Sequence, residues 1–379
     1  MENIVIKEVE TKREYDDFVE LPFQLYKDNK YWVAPIKKDY LGSIKGKDND
    51  LLLTKHRLYL AYKDGKVCGR IIAYIDDEIN EIHNIKVGYI SEFECIDDQN
   101  VADALFEKCD EFFKEHGLDN VKGPVSLPSG DDKRGLVIDN FDTSPTIQNM
   151  YNFPYYNDLF TKAGFVKYHD VYAYRANIKQ VSEKLDKVGE IVPKLEQRYG
   201  YRVDTADVKN NLEQEMKDVY LILKDAMPPE WEDFKPVTME EVRNVMTLAK
   251  PYADEELIAI ARENDTGRPI GFVLSLPDYN EILKEFKGKL GPIQVVKFLR
   301  RRNKLKNIRI FVLFVVPEYR KMGVTYAIYH KLYVNALKKG YETIEGSTIW
   351  DYNTPMLNDI EKVGADRTIT YRVYQRTIK

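Results

Sequence analysis

The stretch Val315-Val316-Pro317-Glu318-Tyr319-Arg320-Lys321-Met322-Gly323-Val324-Thr325 decides the fold, because an apolar strand passes there through a polar turn into a helix. Residues 308–316 are rich in β-branched and aromatic side chains, as in a buried strand, and Pro317 ends the strand. Apolar residues then recur at helical spacing from Tyr326 to Leu337, and Gly340 closes the helix. The first turn of a helix has unpaired N–H groups and the positive end of the dipole, so residues 321–326 form a candidate phosphate site.

This arrangement resembles motif A of the GNAT superfamily of acyl-CoA-dependent N-acyltransferases. That motif reads Arg/Gln-x-x-Gly-x-Gly/Ala, and its backbone amides hold the pyrophosphate of the cofactor. Arg320 and Gly323 match it, whereas Thr325 replaces its last residue and Lys321 stands where many members have a second glycine. The alternative interpretation is an ordinary strand–loop–helix junction with a glycine cap.

The resemblance implies a fold, a cofactor and a set of binding residues. The fold is α/β (α+β): two tandem GNAT-like domains, each a mixed, mostly antiparallel twisted sheet flanked by helices. The cofactor is acetyl-CoA or another acyl-CoA, and a bulge near Phe314–Val316 is expected to free N–H groups for the acyl carbonyl. The implied cofactor-binding residues are Phe314, Val315, Val316, Arg320, Lys321, Met322, Gly323, Val324, Thr325, Tyr326 and Asn353.

The sequence after the motif continues the resemblance but lacks one catalytic residue. A strand over 341–350 and a short helix over 353–363 are predicted, followed by a closing strand over 368–378. Family members often have a tyrosine general acid where this chain has Ile360. The candidate catalytic residues are therefore Glu345 as base, with Asp351 and Glu318 as other candidate bases, and Tyr326 or Tyr352 as proton donors. Each of them also fits a structural or solvent-facing role.

An internal repeat indicates a duplicated domain. Residues 59–80 are similar to 258–280 and residues 156–175 to 356–376, and the helix predicted over 101–116 corresponds to that over 324–339. We predict an N-terminal degenerate domain at 1–178, a helical linker at 179–200 and a C-terminal acyl-CoA-binding domain at 201–379. The N-terminal turn, Ile96-Asp97-Asp98-Gln99-Asn100, has no glycine and carries two carboxylates that repel phosphate.

Composition and charge argue for or against several classes of protein. The chain has 379 residues, a net charge of -5 and 44% apolar residues, which suits two domains and argues against nucleic-acid binding by bulk charge. No apolar run approaches the ~18 residues of a membrane span, and no secretory signal is recognised. The three cysteines and five histidines show no metal-ligand spacing, so we expect no metal site and a cytoplasmic protein.

A basic run precedes the motif. Residues 284–309 contain ten basic residues and one acid, Glu285, with apolar Ile293, Val296, Phe298 and Leu299 between them, which predicts a partly buried helix with a basic outer face. A solvated surface is one interpretation. The others are a clamp for the 3′-phosphate of coenzyme A, a surface for an anionic acceptor, and contact with anionic lipid or RNA.

The functional prediction is an acyl-CoA-dependent, in the first instance acetyl-CoA-dependent, N-acyltransferase. Its acceptor is a small-molecule amine or a peptide amine. Trp231, Phe234 and Tyr252 either line the acceptor pocket or pack in the core. Aminoacyl-tRNA-dependent or long-chain acyl transfer on the same tandem fold, and a non-catalytic acyl-CoA sensor, are the alternatives.

Overall fold

The computed structural model describes residues 4–130 and 132–378, which divide into two compact units. The first unit takes the described residues of Met1–Tyr172, Tyr279–Asn303 and Ile369–Lys379, and the second takes Ala173–Asp278 and Lys304–Thr368. Both contain a mostly antiparallel sheet with helices, so the predicted fold class is confirmed. The sequence boundaries at 178 and 200 rest on the similarity of the two halves rather than on compactness, and they stay a prediction.

The helices and strands follow one another in two similar series. In chain order they are β1 (Ile4–Glu8), α1 (Lys12–Leu25), α2 (Lys37–Ile44), β2 (Lys55–Lys63), β3 (Lys66–Ile75), α3 (Asp77–His83), β4 (Val87–Cys95), α4 (Gln99–Glu115), β5 (Asn120–Gly123), β6 (Leu136–Val137), α5 (Tyr155–Lys162), β7 (Val166–Asn177), α6 (Ile178–Tyr199), β8 (Tyr201–Thr205), α7 (Leu212–Ala226), α8 (Met239–Ala249), β9 (Ile258–Glu263), β10 (Pro269–Pro277), α9 (Asn280–Phe286), α10 (Pro292–Arg301), β11 (Asn307–Val315), α11 (Val324–Lys339), β12 (Thr343–Trp350), α12 (Thr354–Val363) and β13 (Asp366–Thr377).

The first unit has the neighbouring strands β1-β2-β3-β4-β5, and the end of β13 pairs with the free side of β5. The second unit has the neighbouring strands β8-β9-β10-β11-β12. Among the strands just named, β4 pairs with β5 and β11 with β12 in parallel within the described residues, whereas the described pairs β1–β2, β2–β3, β3–β4, β8–β9, β9–β10 and β10–β11 are antiparallel. The predicted repeat is therefore visible in the strand pairing.

Helix α11 has the bounds that its sequence predicts. It begins after Gly323 and ends at Gly340, and both glycines have φ +80, a left-handed conformation that favours glycine. Its inner face buries Val324, Ile328 and Leu332, and α11 packs on β9 and β10. This packing fixes the start of α11 relative to the end of β11.

Helix α6 packs along α11 within the second unit. Gly189 lies so close to α11 that a Cβ atom there would come within 2.3 Å of Nε2 of His330. The approach requires a residue without a side chain at this point of α6. The segment predicted as a linker is thus one long helix of the second unit, with Gly200 in the left-handed conformation at its end.

One sequence prediction about the basic run is wrong. Helices α9 and α10 do form there, but Ile293, Val296 and Leu299 of α10 point outward and are exposed. The inward contact of α10 is made by Phe298, whose ring lies 5.3 Å from that of Tyr279. The spacing of apolar residues defined a face of the helix correctly, but that face is turned toward solvent.

Candidate active site

The parallel strands β11 and β12 separate halfway along their length. Their pairing runs from Asn307↔Thr343 to Ile310↔Gly346, and within the described part of the chain no later pair joins them. The β10–β11 register shifts at this point: Leu274 is opposite Val312 and Ser275 opposite Ile310, so Phe311 is the extra residue of a bulge. A bulge bends a strand, which accounts for the opening between the two strand ends.

The bulge is not where the sequence analysis placed it. Phe314 and Val315 are in regular register with Phe272 and Gly271, and the N–H of Val316 donates to the carbonyl of Ile270 at 2.9 Å. The expectation that residues 314–316 bulge is therefore wrong, and the bulge lies earlier, at Phe311. Phe314 and Val315 nevertheless form the part of β11 that diverges from β12.

The turn after β11 leads directly into α11. Pro317–Tyr319 form a short 3-10 turn, and Met322 donates its N–H to the carbonyl of Tyr319 at 3.1 Å. The hydrogen-bond ladder of the helix begins with the N–H of Ala327 donating to the carbonyl of Gly323, so the N–H groups of residues 324–326 precede it. Gly323 supplies no capping side chain. The helix start is thus chemically suited to an anion.

Arg320 holds the turn in place. Its Nε donates to the carbonyl of Val315 at 3.1 Å, and its Nη2 donates to the carbonyl of Ala226 at 2.8 Å. These bonds tie the turn to the end of β11 and to the last residue of α7. The guanidinium therefore already has two backbone acceptors, which makes its contribution to the turn mainly one of geometry.

Gly323 is close to α6. A Cβ atom at this position would lie 2.5 Å from Cδ1 of Leu195, and the hydroxyl of Tyr201 donates to the carbonyl of Met322 at 3.3 Å. Substitution of Gly323 would therefore disturb packing and strain the backbone as well as the anion site. Lys321 is exposed beside this turn, and Thr325 is partly exposed in the first turn of α11.

An aromatic cluster lies at the divergent ends of β11 and β12. Trp231 approaches Phe314 at a ring distance of 6.2 Å and Tyr352 at 5.6 Å, so it contacts both sides of the opening. Tyr352 stacks on Trp350 at 5.4 Å, and Phe234 completes the cluster. Trp231 and Phe234 thus lie beside the opening, and whether they line an acceptor pocket stays a prediction. Tyr252 is half exposed in the short turn Lys250–Tyr252.

Glu345 lies at the closed end of the opening and is buried in a network. Its carboxylate accepts bonds from Nη2 of Arg175 at 2.8 Å and from the hydroxyl of Ser347 at 3.0 Å. Arg309, also buried, donates to the carbonyl and hydroxyl of Ser347. Unpaired charges are costly inside a protein, so these groups stabilise one another. The alternative base Glu318 is exposed and pairs with Arg268 at 2.6 Å.

Tyr326 and Asn353 lie at the two helix starts that flank the opening. The hydroxyl of Tyr326 donates to Oδ1 of Asp359 at 3.3 Å, and burial raises the pKa of Tyr326. Asn353 is the residue before α12, and its N–H donates to the carbonyl of Trp350 at 3.0 Å. Tyr326 thus connects α11 to α12, and Asn353 connects α12 to the end of β12.

The corresponding helix start of the first unit is filled by the chain itself. Asp98 caps α4: its carboxylate accepts the N–H of Asn100 at 2.9 Å and the ammonium of Lys63 at 2.6 Å. The bond from Lys63 is the main reason why the pKa of Asp98 is lowered. A carboxylate at this place repels phosphate, as the sequence predicted. The two helix starts therefore differ in chemistry although they occupy equivalent places in the repeat.

A buried polar cluster in the first unit was not predicted from the sequence. Arg70 pairs with Glu92 at 3.0 Å and bonds Tyr40, and the hydroxyls of Tyr26 and Tyr156 donate to Glu94 at 2.9 Å and 2.7 Å. Burial raises the pKa of Glu94. Burial also acts to raise the pKa of Glu92, but Lys133 and Arg70 outweigh it and lower that pKa. Three charged residues within apolar strands were the available sequence signal.

Within residues 4–130 and 132–378, no group of three or more His, Cys, Asp or Glu side chains is arranged to hold a metal ion. None of the helices in that same part of the chain has both the length and the apolar content needed to cross a bilayer.

Two curated proteins are similar over nearly their whole lengths, whereas no protein-family model matches the chain. "Bacterial ceramide synthase" of Caulobacter vibrioides (strain NA1000 / CB15N) is 27% identical over 384 residues, covering 98% of this chain and 96% of that protein. "Protein YghO" of Escherichia coli (strain K12) is 27% identical over 379 residues, covering 97% and 94%.

Solved structures identify the fold. A tandem GNAT protein from the clavulanic acid biosynthesis pathway matches with a TM-score of 0.58 at 12% identity, covering 100% of this chain and 99% of that one. A GCN5-related N-acetyltransferase from Sphaerobacter thermophilus matches with a TM-score of 0.52 at 10% identity, covering 99% and 96%. At such identities the likeness concerns the fold alone. The chain has the tandem GNAT fold.

Proposed function

We propose that the protein is an acyl-CoA-dependent N-acyltransferase whose donor site lies in the second unit. The observation that carries the proposal is the opening between β11 and β12, which is followed directly by the uncapped start of α11. The tandem GNAT fold supports acyl transfer in general. An acyl-CoA supplies a thioester whose carbonyl carbon an amine can attack, so that a C–N bond forms, the C–S bond breaks and the thiol leaves.

In this proposal the backbone of residues 321–326 binds the pyrophosphate. Its N–H groups and the helix dipole attract the anion, and exposed Lys321 adds a positive charge. Arg320 keeps the turn in shape through its bonds to Val315 and Ala226. The residues present therefore fit a phosphate-bearing donor without a capping side chain in the way.

The pantetheine arm would enter the opening between the strands. On the β11 side it would pass Phe314 and Val315, with Val316 just beyond the strand, and Asn353 lies between β12 and α12. Tyr352 is our candidate for the proton donor to the leaving thiolate, because it contacts Trp231 at the mouth of the opening. Glu345 and Tyr326 are bound to Arg175 and Asp359, so we assign them positioning roles.

For the acceptor we propose a long-chain amine, and for the donor a fatty acyl-CoA rather than acetyl-CoA alone. Support comes from the whole-length relative named bacterial ceramide synthase, since a ceramide is the amide of a fatty acid and a long-chain amino alcohol. The aromatic cluster of Trp231, Phe234, Trp350 and Tyr352 offers apolar surface for such chains.

The test is an assay of thiol release combined with mass spectrometry of the product. Acetyl-CoA and palmitoyl-CoA would each be offered with sphinganine, with spermidine and with a peptide amine. We expect amide formation with palmitoyl-CoA and sphinganine. Product from acetyl-CoA and a polar amine alone would contradict the long-chain assignment. Thermal stabilisation by acyl-CoA without thiol release from any acceptor would contradict catalysis and favour a sensor, and no stabilisation by any CoA ester would contradict the donor site.

A further inference from the structure

Helix α10 of the first unit presents its apolar face to solvent. Ile293, Val296 and Leu299 are 79%, 48% and 55% exposed, and Leu290 just before the helix is 53% exposed. Residues three apart lie on the same side of a helix, so these side chains form one continuous strip. A helix of a soluble protein normally turns such a strip inward, which makes this arrangement informative.

The outward orientation is fixed by the contacts of the segment. Phe298 packs on Tyr279, while Ile282 and Phe286 of α9 are buried beneath. The carbonyl of Gly288 accepts the N–H of Lys37 at 3.0 Å. A Cβ atom at Gly288, which has φ +78, would come within 2.3 Å of Phe23, so the loop between α9 and α10 fits tightly against α1. The contacts of Phe298, α9 and the loop between α9 and α10 thus hold the apolar strip of α10 toward solvent.

Basic side chains border the apolar strip. Lys297 and Arg301 lie along one side and share Glu285 as partner. Arg300 and Arg302 are exposed and make no ion pair within residues 4–130 and 132–378. Lys284, Lys287 and Lys289 add positive charge within the same unit. The surface therefore combines exposed aliphatic groups with an excess of positive charge.

We propose that α10 docks the protein on an anionic lipid bilayer, with Ile293, Val296 and Leu299 inserted among the acyl chains and Arg300 and Arg302 at the headgroup phosphates. The exposed groups are aliphatic rather than aromatic, which does not favour single-stranded RNA, because RNA binding relies on base stacking. A second copy of the chain would bring the same positive charges face to face. The inference concerns the first unit and is independent of the acyl-transfer chemistry.

The experiment is vesicle flotation with the full chain. Vesicles of phosphatidylcholine alone are compared with an equal mixture of phosphatidylcholine and phosphatidylglycerol. We expect binding to the mixed vesicles that weakens with salt, and little binding to the neutral ones. The triple variant Ile293→Ser, Val296→Ser, Leu299→Ser should bind the mixed vesicles at least about tenfold more weakly, and so should Arg300→Glu with Arg302→Glu.

A matched control removes three other exposed apolar side chains. Leu53→Ser, Val245→Ser and Leu248→Ser lie outside α10 and have comparable exposure. This variant should bind as the unchanged protein does, and all variants should melt within about two degrees of it because the substituted side chains are exposed. Equal vesicle binding by the α10 triple variant, no binding by the unchanged protein, or binding to polyuridylate but not to vesicles would each overturn the proposal. CoA-induced stabilisation, measured in parallel, reports on the donor site separately.

Discussion

The guanidinium of Arg320 donates to the carbonyl of Ala226 at 2.8 Å and so joins the turn after β11 to the end of α7. Arg320, which matches the predicted cofactor-binding motif, thus forms hydrogen bonds with backbone carbonyls of the protein itself. Removal of the side chain therefore affects both the geometry of the turn and the positive charge beside it.

Arg320→Ala should lower both CoA affinity and stability. Two bonds to carbonyls are lost from a partly exposed side chain, so we expect a loss of about 1 kcal/mol in unfolding free energy. Titration calorimetry with CoA should show at least about fivefold weaker binding, equivalent to about 1 kcal/mol. Arg268→Ala, which breaks ion pairs with Glu318, Asp225 and Glu263 near the surface, is the control. Native CoA affinity in Arg320→Ala would contradict the role of this residue.

Thr325→Glu should separate binding from stability. The added carboxylate lies in the first turn of α11, where it interacts favourably with the helix dipole and repels a bound phosphate. We expect CoA affinity to fall at least about tenfold while the melting temperature stays the same or rises. Thr325→Gln has nearly the same size without the charge and should keep most of the affinity. Equal CoA binding by the two variants would place the phosphate elsewhere.

Tyr352→Phe should reduce turnover rather than donor binding. If the hydroxyl of Tyr352 protonates the leaving thiolate, kcat should fall about a hundredfold while CoA affinity changes little. Tyr326→Phe removes a hydroxyl that bonds Asp359 and should leave kcat within about twofold. Steady-state kinetics with the acceptor found by the product assay checks both. The reverse order of effects would make Tyr326 the proton donor.

Glu345→Gln tests a structural role against a catalytic one. The substitution replaces the buried carboxylate of Glu345 with a neutral amide, which cannot form an ion pair with Arg175. We therefore expect a loss of about 1–3 kcal/mol of unfolding free energy. The pH dependence of kcat/KM should be unchanged at a temperature where the variant is folded. Loss of the acidic limb of that profile, with stability kept, would show that Glu345 is the base after all.

Asp98→Asn should change how the unfolding free energy depends on pH, because Asp98 is the charged cap of α4. The pKa of Asp98 is lowered in the folded state, so its stabilisation is present above the ordinary aspartate pKa of about 3.9 and is lost as the pH falls through the folded value. Asparagine still caps the helix but cannot pair with Lys63. The unchanged protein should be about 1 kcal/mol more stable at pH 7, and this difference should shrink below about pH 4.

Melting curves across this pH range check the prediction. Asp77→Asn, which affects the exposed pair with Lys55, serves as the control and should show only a small difference. A difference for Asp98→Asn that grows toward acid pH would have the wrong sign for a lowered pKa.

Much of the fold could be predicted because local signals agreed. Gly323 and Gly340 mark both ends of α11, and the apolar spacing between them fits one helix. The strand predicted over 308–316 is β11 at Asn307–Val315, and the short helix predicted over 353–363 is α12 at Thr354–Val363. In these segments the residue propensities, the spacing of apolar residues and the glycine or proline at the ends all predicted the same element.

Other features depend on partners that are distant in sequence. The bulge at Phe311 is set by the register with β10, which no local pattern records. The outward face of α10 depends on what packs against Phe298, because periodicity defines a face but not its direction. Arg70, Glu92 and Glu94 find their partners only after folding, so their charges within apolar strands were a sequence signal that did not identify which residues pair.

The route of the chain through the first unit has a consequence for its synthesis. Strand β5 pairs with β13 through Val121↔Arg376 and Lys122↔Gln375, so its free edge is covered only when the last strand has left the ribosome. At typical translation rates that delay is on the order of tens of seconds. An uncovered strand edge invites association with other chains during that time. During synthesis the edge of β5 is therefore open to association with other chains for an interval, whereas in the finished protein β13 covers it.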